Sequence, residues 1–217
     1  MSTARAAILG KVRSAIAAST GASNDNQREQ EYAELPRSYA RKSALDEESR
    51  LALLAERLHE YDAGVYEATR EGLSAKIEEI LRGRGKHRLV LPQAIPENWL
   101  PQGFDFVPGE KMTALELDKV DGLLSGCSVA IALTGSLVLQ NTAAQGKRAL
   151  SLVPDYHLCV VFARQVVTTV PEAFARLDAT STLPTTFISG PSATADIEMT
   201  RIKGVHGPRF LDVVLVR

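Results

Sequence analysis

Three short segments in the second half of the chain carry residue types suited to gripping a small anion. Leu133-Thr134-Gly135-Ser136-Leu137 places a glycine between two hydroxyl residues, so backbone amides can approach a ligand closely; a plain tight turn has the same signature. Gly190-Pro191-Ser192 follows a predicted strand and opens a predicted helix. Ser192 there has three readings: a helix cap accepting from a first-turn N–H, part of an anion-binding helix end, or a nucleophile on a strand–turn–helix elbow. Thr194, where G-x-S-x-G needs glycine, and Pro191 inside the turn weigh against the nucleophile. Gly204-Val205-His206-Gly207-Pro208-Arg209 precedes the last predicted strand. Arg148 begins another predicted strand, and Asp196 falls one turn into the predicted helix. An arginine offers a planar fork for carboxylate or phosphate. The candidate ligand-binding residues are thus Thr134, Gly135, Ser136, Arg148, Gly190, Ser192, Gly207 and Arg209, with Asp196 and His206 as candidates for proton transfer.

Other catalytic templates fail. Gly83-Arg84-Gly85-Lys86 lacks Walker spacing and reads as a solvated turn. His59, His87, His157 and His206 are scattered without metal-ligand spacing, so no metal is expected. Cys127 and Cys159 lie 32 positions apart, outside any CxxC, and read as small, buried, reduced hydrophobes.

The elements that would position these residues follow from periodicity. Ile8, Leu9, Val12 and Ile16 mark an amphipathic helix over 3–18, which either docks on the main body or serves a partner. A polar stretch from Ser19 to Glu31 has linker composition. Residues 1–42 are therefore expected to form a helical appendage with its linker, and 43–217 a single domain. Within that domain, helices are expected over 43–58, 67–82, 113–124, 170–177 and 193–202. Strands are expected over 87–92, 104–107, 128–133, 137–140, 149–153, 158–163, 186–189 and 213–216. Continuous runs such as Leu158-Cys159-Val160-Val161-Phe162 imply strands covered on both faces, as in α/β proteins. Glycine loops at strand ends are where open α/β sheets bind ligands.

Composition excludes more than it selects. The 217 residues carry 25 Lys+Arg against 26 Asp+Glu, a net charge of −1, so the cationic excess of a nucleic-acid binder is missing. A hydrophobic fraction of 45% is too high for a disordered chain, and two cysteines are too few for a disulfide scaffold. Lys11 and Arg13 interrupt the N-terminal apolar stretch, which argues against a signal peptide. The most apolar stretch, 127–139, is too short to span a bilayer. The expectation is a cytoplasmic protein without membrane insertion.

The anion-binding segments also carry a resemblance. Ala132-Leu133-Thr134-Gly135-Ser136-Leu137-Val138-Leu139 is similar to the A-E-T-G-S-L-V-L stretch of the lactate utilization protein C family, the LUD domain. Arg148-Ala149-Leu150-Ser151-Leu152-Val153-Pro154-Asp155-Tyr156-His157 resembles its R-A-L-S-L-L-P-x-x-H run. Residues 189–198 resemble its S-G-P-S-x-T-A-D-I-E signature, and 204–209 its G-V-H-G-P-R end. The order is that of the family, over residues 128–217, with weaker similarity reaching back to about residue 45. One departure is Leu133, where the family usually has Glu, so any role of that carboxylate is lost or moved.

The resemblance implies a mixed α/β domain like that of the CoA transferase, ribose-phosphate isomerase and glucosamine-phosphate deaminase superfamily. It also implies a part in oxidising L-lactate to pyruvate alongside two partner proteins, at least one with iron–sulfur clusters. The family assigns this component no chemical step. The chain itself has no cysteine cluster for an iron–sulfur centre and no nucleotide fingerprint, so no cofactor is expected. Three roles remain open: an accessory, non-redox subunit that binds a small carboxylate or phosphate or docks on the iron–sulfur partner; a CoA-transferase-like or sugar-phosphate-isomerase-like enzyme; and a pure protein-interaction module.

Overall fold

A computed structural model describes residues 2–19, 25–36, 38, 41–194, 202–203 and 206–217. Contacts divide the chain into Met1–Tyr39 and Ala40–Arg217. The first unit holds helices α1 (Ser2–Ser19) and α2 (Asp25–Glu34). Helix α2 corrects the expected linker: its Gln, Glu and Arg residues are polar yet good helix formers. Ile8, Leu9, Val12 and Ile16 of α1 are exposed.

The second unit is built on two sheets. Its elements are α3 (Glu47–Glu60), β1 (Gly64–Ala68), α4 (Leu73–Arg84), β2 (Arg88–Leu91), β3 (Asp105–Pro108), α5 (Ala114–Leu117) and β4 (Gly122–Gly126). There follow β5 (Val129–Ile131), β6 (Ser136–Gln140), β7 (Tyr156–Phe162), β8 (Val166–Val167), α6 (Val170–Leu177) and β9 (Thr185–Ile188). The short strands β10 (Ala193–Thr194) and β11 (Ile202–Lys203) precede β12 (Phe210–Val216). Six strands in the order β1-β12-β7-β4-β2-β3 form a wholly parallel sheet. A second, mixed sheet has the order β8-β5-β6-β9.

The apolar runs explain the layering. Leu158, Val160, Val214 and Val216 face Leu73, Ile77, Ile80 and Leu81 of α4. Alternate residues Cys159, Val161, Val213 and Leu215 face Leu51, Leu54 and Leu58 of α3 together with Ala130, Leu137 and Leu139 of the second sheet. The central strands are therefore covered on both faces, as their continuous Val/Leu/Ile runs demand. The far side of the second sheet is closed by Ala173 and Leu177 of α6.

Several expected elements differ. The helix expected over 67–82 begins at Leu73, and the chain before it forms the edge strand β1. That strand is half-buried with a mixed pattern, and a Cβ at Gly64 would collide with the Asp212 carboxylate. Helix α4 runs through Gly83 to Arg84 and stops at Gly85, whose φ of 63° only glycine adopts cheaply. The expected helix 113–124 is a single turn, α5, followed by strand β4. Gly122 packs so closely on Tyr156 that a Cβ would lie 2.6 Å from its ring. Residues 148–151 form a 3-10 turn rather than a strand, with Arg148 Nη1 donating to Ser151 O at 3.1 Å. In place of a helix from 193, β10 pairs antiparallel with β11.

Candidate functional site

A cavity of about 340 Å³ opens where the two sheets meet, at the lower end of the range typical of ligand pockets. Its wall includes Arg148 and Ser151 from the 3-10 turn and His157 from β7. Gly190 and Ser192 come from the loop after β9, and His206 and Gly207 from the loop before β12. Phe187, Pro208 and Leu211 add an apolar surface. His157 and Leu211 are the second residues of β7 and β12, so the site lies at the amino ends of those parallel strands. The segments bearing Arg148 and Gly207 lead into β7 and β12, and only the Gly190 loop leaves a strand.

The loops are laced to each other. Ser192 N donates to Pro208 O at 2.8 Å, and His206 N donates to Ser192 Oγ at 3.0 Å. The Ser192 hydroxyl therefore ties two cavity loops and caps no helix, because the chain continues into β10. Gly190 has φ 85° and lies against Tyr61, where a Cβ would come within 2.5 Å of the tyrosine Cβ. A side chain there would be strained by backbone conformation and by space alike.

Among the expected residues, Arg148, Gly190, Ser192, His206 and Gly207 meet at the cavity. Thr134, Gly135, Ser136 and Arg209 are not among its described wall. Gly135 turns with φ 57° against the backbone of Arg57 in α3, which gives the turn a packing reason. Ser136 Oγ lies 2.8 Å from Thr134 Oγ1 and 2.7 Å from Ser189 Oγ, so the turn buttresses the loop that carries Gly190. Arg209 Nε donates to Asp155 Oδ1 at 2.6 Å. Leu133 is exposed and outside the wall. Asp196 lies outside the described residues.

The electrostatics of the cavity centre on two side chains. Arg148 Nη1 donates to Ser151 O and, at 2.9 Å, to Ser151 Oγ; among the described residues no carboxylate pairs with it. Among those residues its remaining N–H donors have no partner, and their fork suits an anion. His157 is 1% exposed, and its Nε2 lies 2.8 Å from Ser125 Oγ, which in turn lies 3.0 Å from Gly126 O. The other ring nitrogen, Nδ1, is buried and has no partner among the described residues. Burial, and then the nearby Arg148 charge, push the imidazole down to about 4, so the ring is neutral at pH 7. His157 was not singled out as a site residue by its type and spacing. The available signal was a histidine leading the otherwise apolar run His157-Leu158-Cys159-Val160-Val161-Phe162.

Among the described residues no group of three His, Cys, Asp or Glu could hold a metal ion, and no helix is long and apolar enough to cross a membrane. Cys127 and Cys159 are free and buried. Their mutual contact and burial hold the Cys127 thiol well above the usual range, unlike a reactive thiolate.

Residues 51–216 match the LUD domain family model. A protein of Deinococcus radiodurans called lactate utilization protein C is 47% identical over 132 residues, 59% of this chain and 62% of that protein. The match thus spans less than two thirds of that relative's length. A lactate utilization protein C of Shouchella clausii is 35% identical over 85 residues, 37% of each chain. The crystal structure of a DUF162 family protein from Deinococcus radiodurans superposes with a TM-score of 0.70 at 36% identity, covering 80% of this chain and 99% of that one.

Proposed function

Because the chain belongs to the LUD domain family, we propose that it serves lactate utilization as an accessory component that binds a small anion and carries out no redox step itself. The names of its relatives support the lactate part of this reading. The observation that carries the binding part is Arg148, a cation with spare donors and no carboxylate partner among the described residues, in the wall of a small cavity. Carboxylate and phosphate both suit its fork.

On this reading, electron transfer belongs to iron–sulfur partner proteins in the cytoplasm, and this subunit presents or senses the anion. The reading as a CoA-transferase-like enzyme, with the corresponding superfamily fold, would need a carboxylate nucleophile in the cavity. The described wall has none, so that reading would rest on Asp196. The test is deletion of the gene from its host, followed by growth on L-lactate as sole carbon source. Growth is expected to fail, to return with the wild-type gene, and not to return with Arg148→Ala. Unchanged growth of the deletion strain rejects the proposal.

A further inference from the structure

At the end of β7 away from the cavity, the Phe162 ring gathers two arginines. The guanidinium carbon of Arg70 lies 5.3 Å from the ring centroid and that of Arg164 lies 5.5 Å from it. Trp99, the one tryptophan of the chain, completes the group, its ring 5.7 Å from that of Phe162 and tilted by 43°. Arg70 comes from the turn between β1 and α4, and Trp99 from the connection between β2 and β3. Phe162 ends β7, and Arg164 sits in the 3-10 turn after it. The group therefore assembles at carboxyl ends of parallel strands, the end at which open α/β sheets bind ligands. Both aromatic rings are half-buried against the core on the α4 side, and Phe162 N donates to Gln165 Oε1 at 2.8 Å, which fixes the backbone beneath them. The two arginines are exposed. Arg57, Arg82, Arg84, Arg88, Arg209 and Arg217 each reach a carboxylate. Among the described residues neither Arg70 nor Arg164 does so. Another exposed cation, Arg176 of α6, adds to the charge by donating from Nη1 to Arg164 O at 2.6 Å. Attraction to the ring face holds the guanidiniums together against their mutual repulsion and leaves their N–H donors without a protein acceptor.

We infer that this cluster of Arg70, Trp99, Phe162 and Arg164 is a docking surface for an acidic segment of a partner protein. Its charge asks for carboxylates, which the planar guanidinium fork accepts in pairs. Its composition is that of an interface hot spot, where tryptophan and arginine are enriched and rigid rings anchor the contact. Exposed arginines give a small anion little, because small-ligand sites are concave and enclose what they bind. Nucleic acid fits a chain of net charge −1 poorly. The occupant is a short run in which carboxylates meet Arg70 and Arg164 while an apolar side chain lies against Trp99. From His157 to Phe162 strand β7 advances about 16 Å, so the docking surface and the cavity stand at opposite ends of it. The inference goes beyond the anion-binding reading and does not depend on it.

The test begins with the full chain carrying the photo-crosslinker p-benzoylphenylalanine in place of Trp99, expressed in host cells grown on L-lactate and on rich medium. If that variant unfolds, the crosslinker replaces the exposed Glu71 beside Arg70 instead. The peptide captured on illumination is sequenced by mass spectrometry, synthesised, and titrated calorimetrically onto the purified wild type, Arg70→Glu/Arg164→Glu and Arg70→Lys/Arg164→Lys. The captured peptide is expected to come from another protein and to carry more Asp and Glu than Lys and Arg. Its affinity should fall at least about tenfold in the charge-reversed variant, remain within about threefold of wild type in the lysine variant, and weaken as salt is added. Neither arginine spends a bond on the fold, so the charge-reversed protein should unfold in urea close to the wild-type midpoint. A captured peptide without an acidic excess, a crosslink to lipid, nucleic acid or a second copy of this chain, no crosslink at either position, or equal affinity for the wild type and the charge-reversed variant overturns the inference. Each of those results leaves the cavity and its anion standing, because growth of the deletion strain on L-lactate tests that reading separately.

Discussion

The buried His157 makes stability depend on pH in a window where few other groups titrate. The free imidazole has an ordinary value of 6.5, and burial together with Arg148 lowers it in the native protein to about 4. The unfolded chain therefore takes up a proton near pH 6.5 that the native chain refuses until about pH 4. Between those values the unfolded state holds more protons, so stability falls as pH falls. Stability is intact above about pH 7, declines by at most about 1.4 kcal/mol per pH unit, and has lost about 2 kcal/mol by pH 5. The full displacement amounts to about 3 kcal/mol. The assay is urea unfolding at pH 7, 6 and 5 for the wild type and His157→Gln. The glutamine can keep a hydrogen bond to Ser125 but has no proton to gain, so its stability should change by about 2 kcal/mol less over that range. Other histidines contribute equally to both proteins and cancel. Parallel pH dependence of the two proteins would show that His157 is not held neutral by its surroundings, and the reasoning about its environment would be refuted.

Three further outcomes follow from the packing. Gly190→Ala forces a side chain into a left-handed backbone against Tyr61, and is expected to cost about 2 kcal/mol and lower Tm by about 4–8 °C; Gly83→Ala, in α4 with nothing within 4 Å, should instead raise stability by about 0.5–1 kcal/mol. Asp212, fully buried, accepts from Arg84 Nε at 2.8 Å, Arg84 Nη2 at 2.6 Å and Tyr156 Oη at 2.9 Å; Asp212→Ala should cost about 3–5 kcal/mol in urea unfolding, because it leaves the arginine and the phenol without their acceptor. The Glu172 carboxylate completes the capping box of α6 and also accepts from Ser43 N at 3.1 Å, and Glu172→Gln should cost about 1–2 kcal/mol at pH 7. Burial opposes its ionisation, but the N–H groups of Thr169, Ser43 and Thr168 together outweigh it, so the carboxyl ionises below its ordinary 4.5. That stabilisation is present above about pH 4.5 and lost as pH falls further, so the gap between wild type and variant should close on acidification.

Residue order alone made some of the buried strands visible, β7 among them. The run Leu158–Phe162 must be a strand covered on both faces, because no polar residue interrupts it to face water. The capping pair Thr169 and Glu172 marks the start of α6 in the same way, through bonds that span three residues. Local chemistry was likewise enough to single out Arg148, Gly190, Ser192, Gly207 and His206, which meet at the cavity. Elements whose reasons lie far along the chain were not legible. The half-buried pattern of β1 becomes a strand only beside β12, and Gly122 opens β4 because Tyr156 occupies the space of a side chain.

The candidate site divides on the same line. Its residue types, an arginine near hydroxyls and glycine turns, follow from the sequence, because a guanidinium or a glycine has its chemical character wherever it stands. The pairings depend on the fold. Arg209 is bound to Asp155, Gly135 packs against α3, and Ser192 ties two loops rather than capping a helix. The spare nitrogen of His157 exists only because Ser125, 32 positions away, engages the opposite edge of the ring while the core shuts out water. Burial and hydrogen-bond completion are properties of three-dimensional neighbours. Only the tertiary structure could therefore turn a histidine at the head of an apolar run into a buried, neutral side chain beside a cavity.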